Sequence, residues 1–236
     1  MQAIILAGGK GRRLKPYTNV LPKPLMPVGD MPILEIILRQ LKSSGVDNVI
    51  IAVGHLHHMI ESFFKNGEEY GLNIKYSLED KPLGTAGPLR LIAEDLDENF
   101  IVMNGDLLTS LDYKAAFNSH IENNADATIA TFERTLDIDF GVIEANKDSE
   151  LIDYKEKPTS TYKVSMGVNI FRKSSLTSIL EKHEYLDIPD VMIQLMQEGK
   201  KVFCYQEECS WLDIGRIDDY QEAVDIFERD KAIYLP

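Results

Sequence analysis

A short apolar run over residues 3–7 leads into Gly8, Gly9 and Gly11, and around these glycines stand Lys10, Arg12, Arg13 and Lys15. Glycine lets backbone N–H groups close on phosphate oxygens with no Cβ in the way, and the adjoining cations supply charge of the right sign. Lys23 follows, fixed between Pro22 and Pro24. Proline limits the backbone on both sides, which suits a cation held for a set contact with phosphate; a solvated lysine in a stiff turn is the alternative. Asp106 comes after Asn104 and Gly105 at the end of an apolar segment. Such a carboxylate is a seat for a hard cation, and Mg²⁺ favours one or two carboxylates completed by phosphate oxygens. Asp213, within Trp211-Leu212-Asp213-Ile214-Gly215, is either the second carboxylate or a turn cap. Together these groups suit the handling of a polyphosphate with a divalent cation.

The glycine loop is not a Walker loop, since no G-x-x-x-x-G-K-[ST] occurs. It is a poor dinucleotide fingerprint as well, because Leu14 stands where the third glycine belongs. His55, His57 and His58 read as a loop leading into a helix rather than a metal cluster, since adjacent residues in regular structure cannot all face one ion. Tyr220 and Phe227, at helical spacing, read as core.

The hydrophobic pattern predicts the elements that must position these groups. Strands are expected over 3–7, 49–53, 73–78, 100–103, 127–133, 140–145, 151–154, 164–171 and 201–205, and helices over 31–45, 59–64, 88–96, 112–123, 174–182, 190–199 and 216–231. Asp30 is the expected N-cap of the helix over 31–45. Strand and helix alternate in the first half, which implies a mostly parallel sheet covered on both faces. Ligands gather at the carboxyl ends of strands in such sheets. The glycine loop, Asp106 and the Glu156-Lys157 pair all follow predicted strands, which argues for one site.

Composition narrows the partners. The chain has 236 residues, 44% hydrophobic and 27% charged, with a formal net charge of −13. That balance disfavours general binding to nucleic acid or an anionic membrane, so a local basic loop near the start is the more informative. No apolar run approaches membrane-spanning length, and residues 4–7 are too short for a secretory signal. Cys204 and Cys209 form neither a disulfide framework nor a zinc pattern, and a cytoplasmic protein with reduced thiols is expected.

The stretch LAGGKGRRLKP followed by LPKPL resembles the signature of the sugar-1-phosphate nucleotidylyltransferases, G-G-x-G-T-R-L with P-K-P. Pro82-Leu83-Gly84-Thr85-Ala86-Gly87, Asn104-Gly105-Asp106, Phe140-Gly141-Val142, Glu156-Lys157-Pro158 and the segment at 211–215 extend the match along almost the whole chain. The resemblance, strongest to mannose-1-phosphate guanylyltransferases and related bacterial enzymes acting on hexose-, heptose- or amino-sugar 1-phosphates, implies an α/β fold: a Rossmann-like three-layer α/β/α sandwich with a mixed, mainly parallel sheet. It implies a single nucleotidyltransferase domain over 1–236, with 1–110 as the NTP half and 111–236 as the sugar-phosphate half. It implies Mg²⁺ as cofactor, and an NTP and a sugar 1-phosphate as substrates.

By that resemblance Arg13, Lys23 and Asp106 are catalytic, and Asp106 and Asp213 hold the metal. Leu6, Ala7, Gly8, Gly9, Gly11, Arg12, Glu79, Gly84 and Thr85 contact the nucleotide, and Gly141, Glu156, Lys157 and Asn169 the sugar phosphate. Two departures stand out. Arg12 replaces the threonine of G-T-R-L, and Ser165-Met166-Gly167 with Asn169 replaces the Asn-x-Gly before the late strand. Guanine offers two adjacent donors that one carboxylate can accept, and Glu79 and Asp80 precede the loop where relatives read the base, so GTP is favoured. Solvated loop charges are the alternative for that pair. UTP or CTP with an amino-sugar 1-phosphate is the rival substrate reading, and a non-catalytic nucleotide-sugar-binding regulatory domain the rival class. Oligomeric state is left open, a homo-oligomer included.

Overall fold

The structure is a computed structural model that describes residues 1–235. In chain order it contains β1 (Gln2–Ala7), β2 (Pro27–Val28), β3 (Met31–Pro32), α1 (Ile33–Ser43), β4 (Asn48–Val53), α2 (His57–Phe64), β5 (Asn73–Leu78), α3 (Pro88–Leu91), β6 (Asn99–Asn104), β7 (Leu107–Thr109) and α4 (Tyr113–Glu122). There follow β8 (Ala127–Asp137), β9 (Val142–Ala145), β10 (Leu151–Lys155), β11 (Thr159–Arg172), α5 (Lys173–Lys182), α6 (Ile188–Gln197), β12 (Val202–Gln206), β13 (Trp211–Asp213) and α7 (Ile217–Tyr234). The central sheet has seven strands in the order β12-β8-β11-β6-β1-β4-β5. Within it β11 runs antiparallel to both neighbours, while β1, β4, β5 and β6 are parallel, as are β8 and β12. The mixed, mainly parallel α/β sandwich is the one expected.

Side-chain alternation along the strands divides the core into two layers. Ala3, Ile5 and Ala7 point into one layer, with α1, α2, α4 and α7; Ile4 points into the other, with α3, α5 and α6. A strand covered on both faces must be apolar throughout, which explains the unbroken runs of β1 and β4. Ile4 and Ile5 are fully buried, each burial stabilising by roughly 1.5–3 kcal/mol.

Several boundaries differ from the sequence pattern. Met31 and Pro32 pair with β2 instead of opening α1, so Pro32 precedes the helix and Asp30 does not cap it. The Asp30 carboxylate accepts from Lys231 Nζ at 2.7 Å, 201 residues away. The helix expected after the second glycine loop is only the short α3, followed by a single 3₁₀ turn at 93–95. Helix α6 starts at Ile188, two residues early, with Pro189 in its first turn. Phe140 and Gly141 lie outside β9. Strands β8 and β11 run on past the sheet as a two-stranded arm, with β9 and β10 forming a separate hairpin at its tip.

Candidate active site

Three parallel strands end side by side, and each delivers part of the site. Strand β1 stops at Ala7 and opens into the glycine loop; β4 stops at Val53 before Gly54; β6 stops at Asn104 before Asp106. Gly8 and Gly54 are in such close contact that a Cβ on Gly54 would stand 2.9 Å from the Gly8 carbonyl oxygen. Gly11 is left-handed (φ +56°), and the turn is held by the Thr18 hydroxyl, which donates to the Gly11 carbonyl at 2.8 Å. Only glycine adopts that conformation without cost here.

The loops surround a cavity of about 810 Å³. Its walls are formed by Gly8, Gly9, Gly11, Lys10 and Arg12 of the glycine loop, by residues 79–85 together with Tyr185 and Asp187, and by Leu6, Asn104 and Asp106. Glu79 lies against Gly8, and one of its oxygens accepts from the Leu83 amide at 3.3 Å. Burial raises the Glu79 carboxyl above its ordinary range. The second glycine loop is fastened from far along the chain. Asp187 Oδ1 accepts from the Thr85 amide at 2.8 Å and the Thr85 hydroxyl at 3.1 Å, and the Thr85 hydroxyl accepts from the Ile188 amide at 2.8 Å. The amides of Ala86 and Gly87 donate to the Leu186 carbonyl.

Asp106, Lys23 and Asp213 form the charged centre. Lys23 Nζ donates to Asp106 Oδ2 and stands 4.0 Å from Asp213 Oδ1. The other Asp106 oxygen, Oδ1, is buried with no hydrogen-bond partner. Asp213 arrives on β13, which pairs with β7 directly beyond Asp106, setting Asp213 opposite Leu107. Trp211 anchors that strand, its indole N–H donating to the Met166 carbonyl at 2.9 Å and its ring packing on Phe132. Burial, then the Asp106 charge, raise the Asp213 carboxyl; Lys23 and Arg13 pull the other way. Arg13 packs on Gly215, 3.3 Å from the place a Cβ would take, so it joins the Asp213 segment rather than the cavity wall that Arg12 lines.

An orphaned buried carboxylate oxygen is a cost to the fold unless something binds it. Asp106, in the turn before β7, and Asp213, on the adjoining β13, fit a Mg²⁺ completed by substrate phosphates. No group of three or more His, Cys, Asp or Glu able to hold a metal by itself occurs among the described residues.

The expected sugar-phosphate residues are spread out. Gly141 lies against the Tyr154 hydroxyl, which donates to Glu156 at 3.1 Å, so these three share one place on the β9–β10 hairpin. Glu156 and Lys157 are exposed and off the cavity wall, Lys157 with a φ of +44°. Asn169 is buried on β11, its Oδ1 without a partner. A bulge separates Ser165 from Asn169, and Gly167 within it (φ +75°) packs on Asn104.

The family profile described as Nucleotidyl transferase matches residues 2–229. The chain belongs to the nucleotidyl transferase family. It is 35% identical to a D-glycero-alpha-D-manno-heptose 1-phosphate guanylyltransferase of Aneurinibacillus thermoaerophilus, over 94% of this chain and 96% of that one. It is 33% identical to a UTP–glucose-1-phosphate uridylyltransferase of Synechocystis over 95% of its own length, but spans only 62% of that relative. Among solved structures, one from Bacillus anthracis described as a glucose-1-phosphate thymidylyltransferase in complex with sucrose superposes with a TM-score of 0.80 at 27% identity, covering 98% of this chain and 96% of that one. The expected resemblance and enzyme class are borne out at the level of the family.

In this nucleotidyl transferase, residues 185–187 were not anticipated as part of the site. Nothing local signals that Asp187, with Tyr185 bonded to it, meets Thr85, 102 residues away. Cys204 and Cys209 are free thiols. Asp112 caps α4, accepting from the Ala115 amide at 2.9 Å. His57 bonds Glu61 within α2 and lies outside the charged centre. No helix of the described residues is long and apolar enough to cross a membrane.

Proposed function

We propose that this chain condenses a nucleoside triphosphate with a sugar 1-phosphate, releasing pyrophosphate and an NDP-sugar. The observation that carries the reading is the charged centre: Lys23 bonded to Asp106, a second Asp106 oxygen buried without a partner, and Asp213 alongside, all next to the cavity of the glycine loop. The names of the relatives support the same substrate classes.

The residues suit an in-line displacement at the α-phosphorus. A phosphate monoester has its second pKa near ~6, so the attacking oxygen is already ionised at neutral pH and no general base is needed. The task is to bring two polyanions together and stabilise charge as it moves to the leaving pyrophosphate. The glycine-loop amides and Arg12 hold the triphosphate, while Lys23 and Arg13 stand where negative charge must be offset. Asp106 and Asp213 would hold Mg²⁺, which when bound supplies charge neutralisation of the phosphate oxygens. Glu156 and Lys157 would take the sugar hydroxyls and phosphate from the hairpin, with Gly141 beside Glu156 and Asn169 contributing from β11. On this reading residues 1–110 form the NTP half and 111–236 the sugar-phosphate half, with Asp213 returning from the second half to the first.

GTP is the favoured nucleotide. Glu79 puts a carboxylate on the cavity wall, which can accept both donors of guanine, and the relative matched over nearly its full length is named a guanylyltransferase. Pyrophosphate release from a panel of NTPs and sugar 1-phosphates tests the proposal. Release with one pair at a time, fastest with GTP, is expected; no release with any pair, while an NDP-sugar still binds, overturns it in favour of a sensor.

A further inference from the structure

The cavity is lined by the glycine loop and by residues 79–85 with Tyr185 and Asp187. Among these lining residues stands an aromatic side chain that the catalytic reading does not use. Tyr185 lines the cavity, yet it is 60% exposed. Its hydroxyl donates to Asp187 Oδ2 at 3.1 Å, and the other oxygen of the same carboxylate holds the Thr85 amide and hydroxyl. The ring is therefore tethered at its polar tip, while its apolar faces remain largely uncovered. The tether also ties it to the second glycine loop, where Gly84 (φ +83°) packs directly against the Leu186 carbonyl. A neighbouring ion pair, Lys81 with Glu184 at 2.5 Å, fastens the same two segments once more.

A tyrosine exposed by chance on a loop has no such fastening. Ordering a side chain costs entropy, and the hydrogen bond of Tyr185 to a carboxylate itself held by Thr85 offsets part of that cost before any ligand arrives. A pre-ordered aromatic face on a ligand cavity is the arrangement that stacks on a flat ring, and a nucleobase presents one whichever base it is. With the phosphates at the glycine loop, the cavity wall left to the base includes the Gly84–Thr85 loop, to which Tyr185 is tied through Asp187.

We infer that Tyr185 packs on the nucleobase of the bound nucleoside triphosphate, and that Asp187 is the positioning residue that holds both it and the Gly84–Thr85 loop in place. The inference rests on the nucleotide-site reading above. Glu79 then reads the edge of the base while Tyr185 takes its face, so affinity and base choice come from different side chains.

Direct binding by calorimetry, with the full chain and each Mg-NTP of a panel, tests this apart from turnover. Stacking on an aromatic is worth about 1–3 kcal/mol on replacement by alanine, so Tyr185→Ala should weaken the best-bound nucleotide by roughly 5- to 150-fold. Tyr185→Phe keeps the ring and should lose less than the alanine variant, about 2- to 10-fold, the net worth of a single hydrogen bond. Inorganic pyrophosphate has no base, and its binding should be the same in both variants. In turnover the alanine variant should raise KM for the NTP and leave KM for the sugar 1-phosphate unchanged. Equal nucleotide binding by the alanine variant and the unaltered chain, or parallel losses of nucleotide and pyrophosphate, overturns the inference while leaving the nucleotide site intact. Absence of any nucleotide binding by the unaltered chain overturns the site reading itself, and this inference with it.

Discussion

The ammonium of Lys23 is bonded to one oxygen of Asp106 and leaves the other buried with no partner. The carboxylate is thus half-neutralised, and the structure keeps an acceptor ready where a cation or a substrate donor must come. Removing either member should strike the reaction more than the fold. Lys23→Ala and Asp106→Ala are each expected to lower turnover by at least ~100-fold, the scale of losing one electrostatic stabiliser. Pyrophosphate release by folded variants, checked by circular dichroism, measures it; near-normal turnover in either would sink the catalytic assignment.

Asp213 is held with its carboxyl raised, by burial first and then by the Asp106 charge. A carboxyl whose folded pKa exceeds its unfolded value weakens the fold as pH rises through that interval, because the folded chain then holds the extra proton. At neutral pH without metal, Asp213→Asn is therefore expected to raise the melting temperature while lowering activity. Paired melting curves with and without Mg²⁺ decide the matter: added Mg²⁺ should stabilise the unaltered chain more than the variant. Equal stabilisation of the two would remove Asp213 from the metal site.

Gly84 has no room for a side chain. A Cβ there would meet the Leu186 carbonyl carbon at 2.8 Å and Asp187 Oδ1 at 3.0 Å, in a left-handed backbone besides. Gly84→Ala is expected to cost about 1–3 kcal/mol through that backbone conformation alone. Because the clash falls on the contact that fastens the loop, KM for the NTP should rise more than kcat falls. A variant with unchanged NTP affinity would show that the loop does not bear on the nucleotide.

Glu79 tests the choice of base. Hydrogen bonds to a charged group are worth about 1.5–3 kcal/mol, so Glu79→Gln should cut kcat/KM for GTP by about 10- to 150-fold. UTP, with one donor on the same edge, should suffer less. If the ratio of the two nucleotides is unchanged, Glu79 does not read the base.

His120 is a feature of stability rather than function. It is fully buried, with Nδ1 2.8 Å from the Thr128 hydroxyl and Nε2 3.1 Å from Asn99 Oδ1. Burial, and then the Arg172 charge, lower its imidazole to about 4. The unfolded chain takes up the proton first, so stability is complete above about pH 6.5 and falls as the pH drops toward 4. The loss at pH 5 should be about 2 kcal/mol. Urea midpoints at pH 7 and pH 5 should diverge for the unaltered chain and converge in His120→Gln; an equal shift in both would assign the acid sensitivity elsewhere.

What the sequence revealed and what it hid follow the range of the interactions. Strand β5 spans the residues its pattern predicts, and β1 and the glycine loop are where the apolar run and three glycines point. Each of these is dictated by neighbours in the chain. Asp30 was misread because its partner, Lys231, is 201 residues away. The pairing of β7 with β13, which sets Asp213 beside Asp106, involves two three-residue strands too short to carry a period. Asp187, and Tyr185 bonded to it, were invisible for the same reason: Asp187 meets Thr85 only after folding.

That β7–β13 ladder has a further consequence. Just beyond it Ser110 and Ser210 clasp each other, the Ser110 amide donating to the Ser210 carbonyl at 3.0 Å and the Ser210 amide to the Ser110 hydroxyl at 2.9 Å. The chain leaves the charged centre at one rung and comes back to it at the same rung, 100 residues later. Everything in between is a closed excursion, joined to the remainder of the sheet through β6 and β11. Evolution can lengthen, trim or re-line such an excursion to admit a different second reactant, and the two aspartates at its neck need not move.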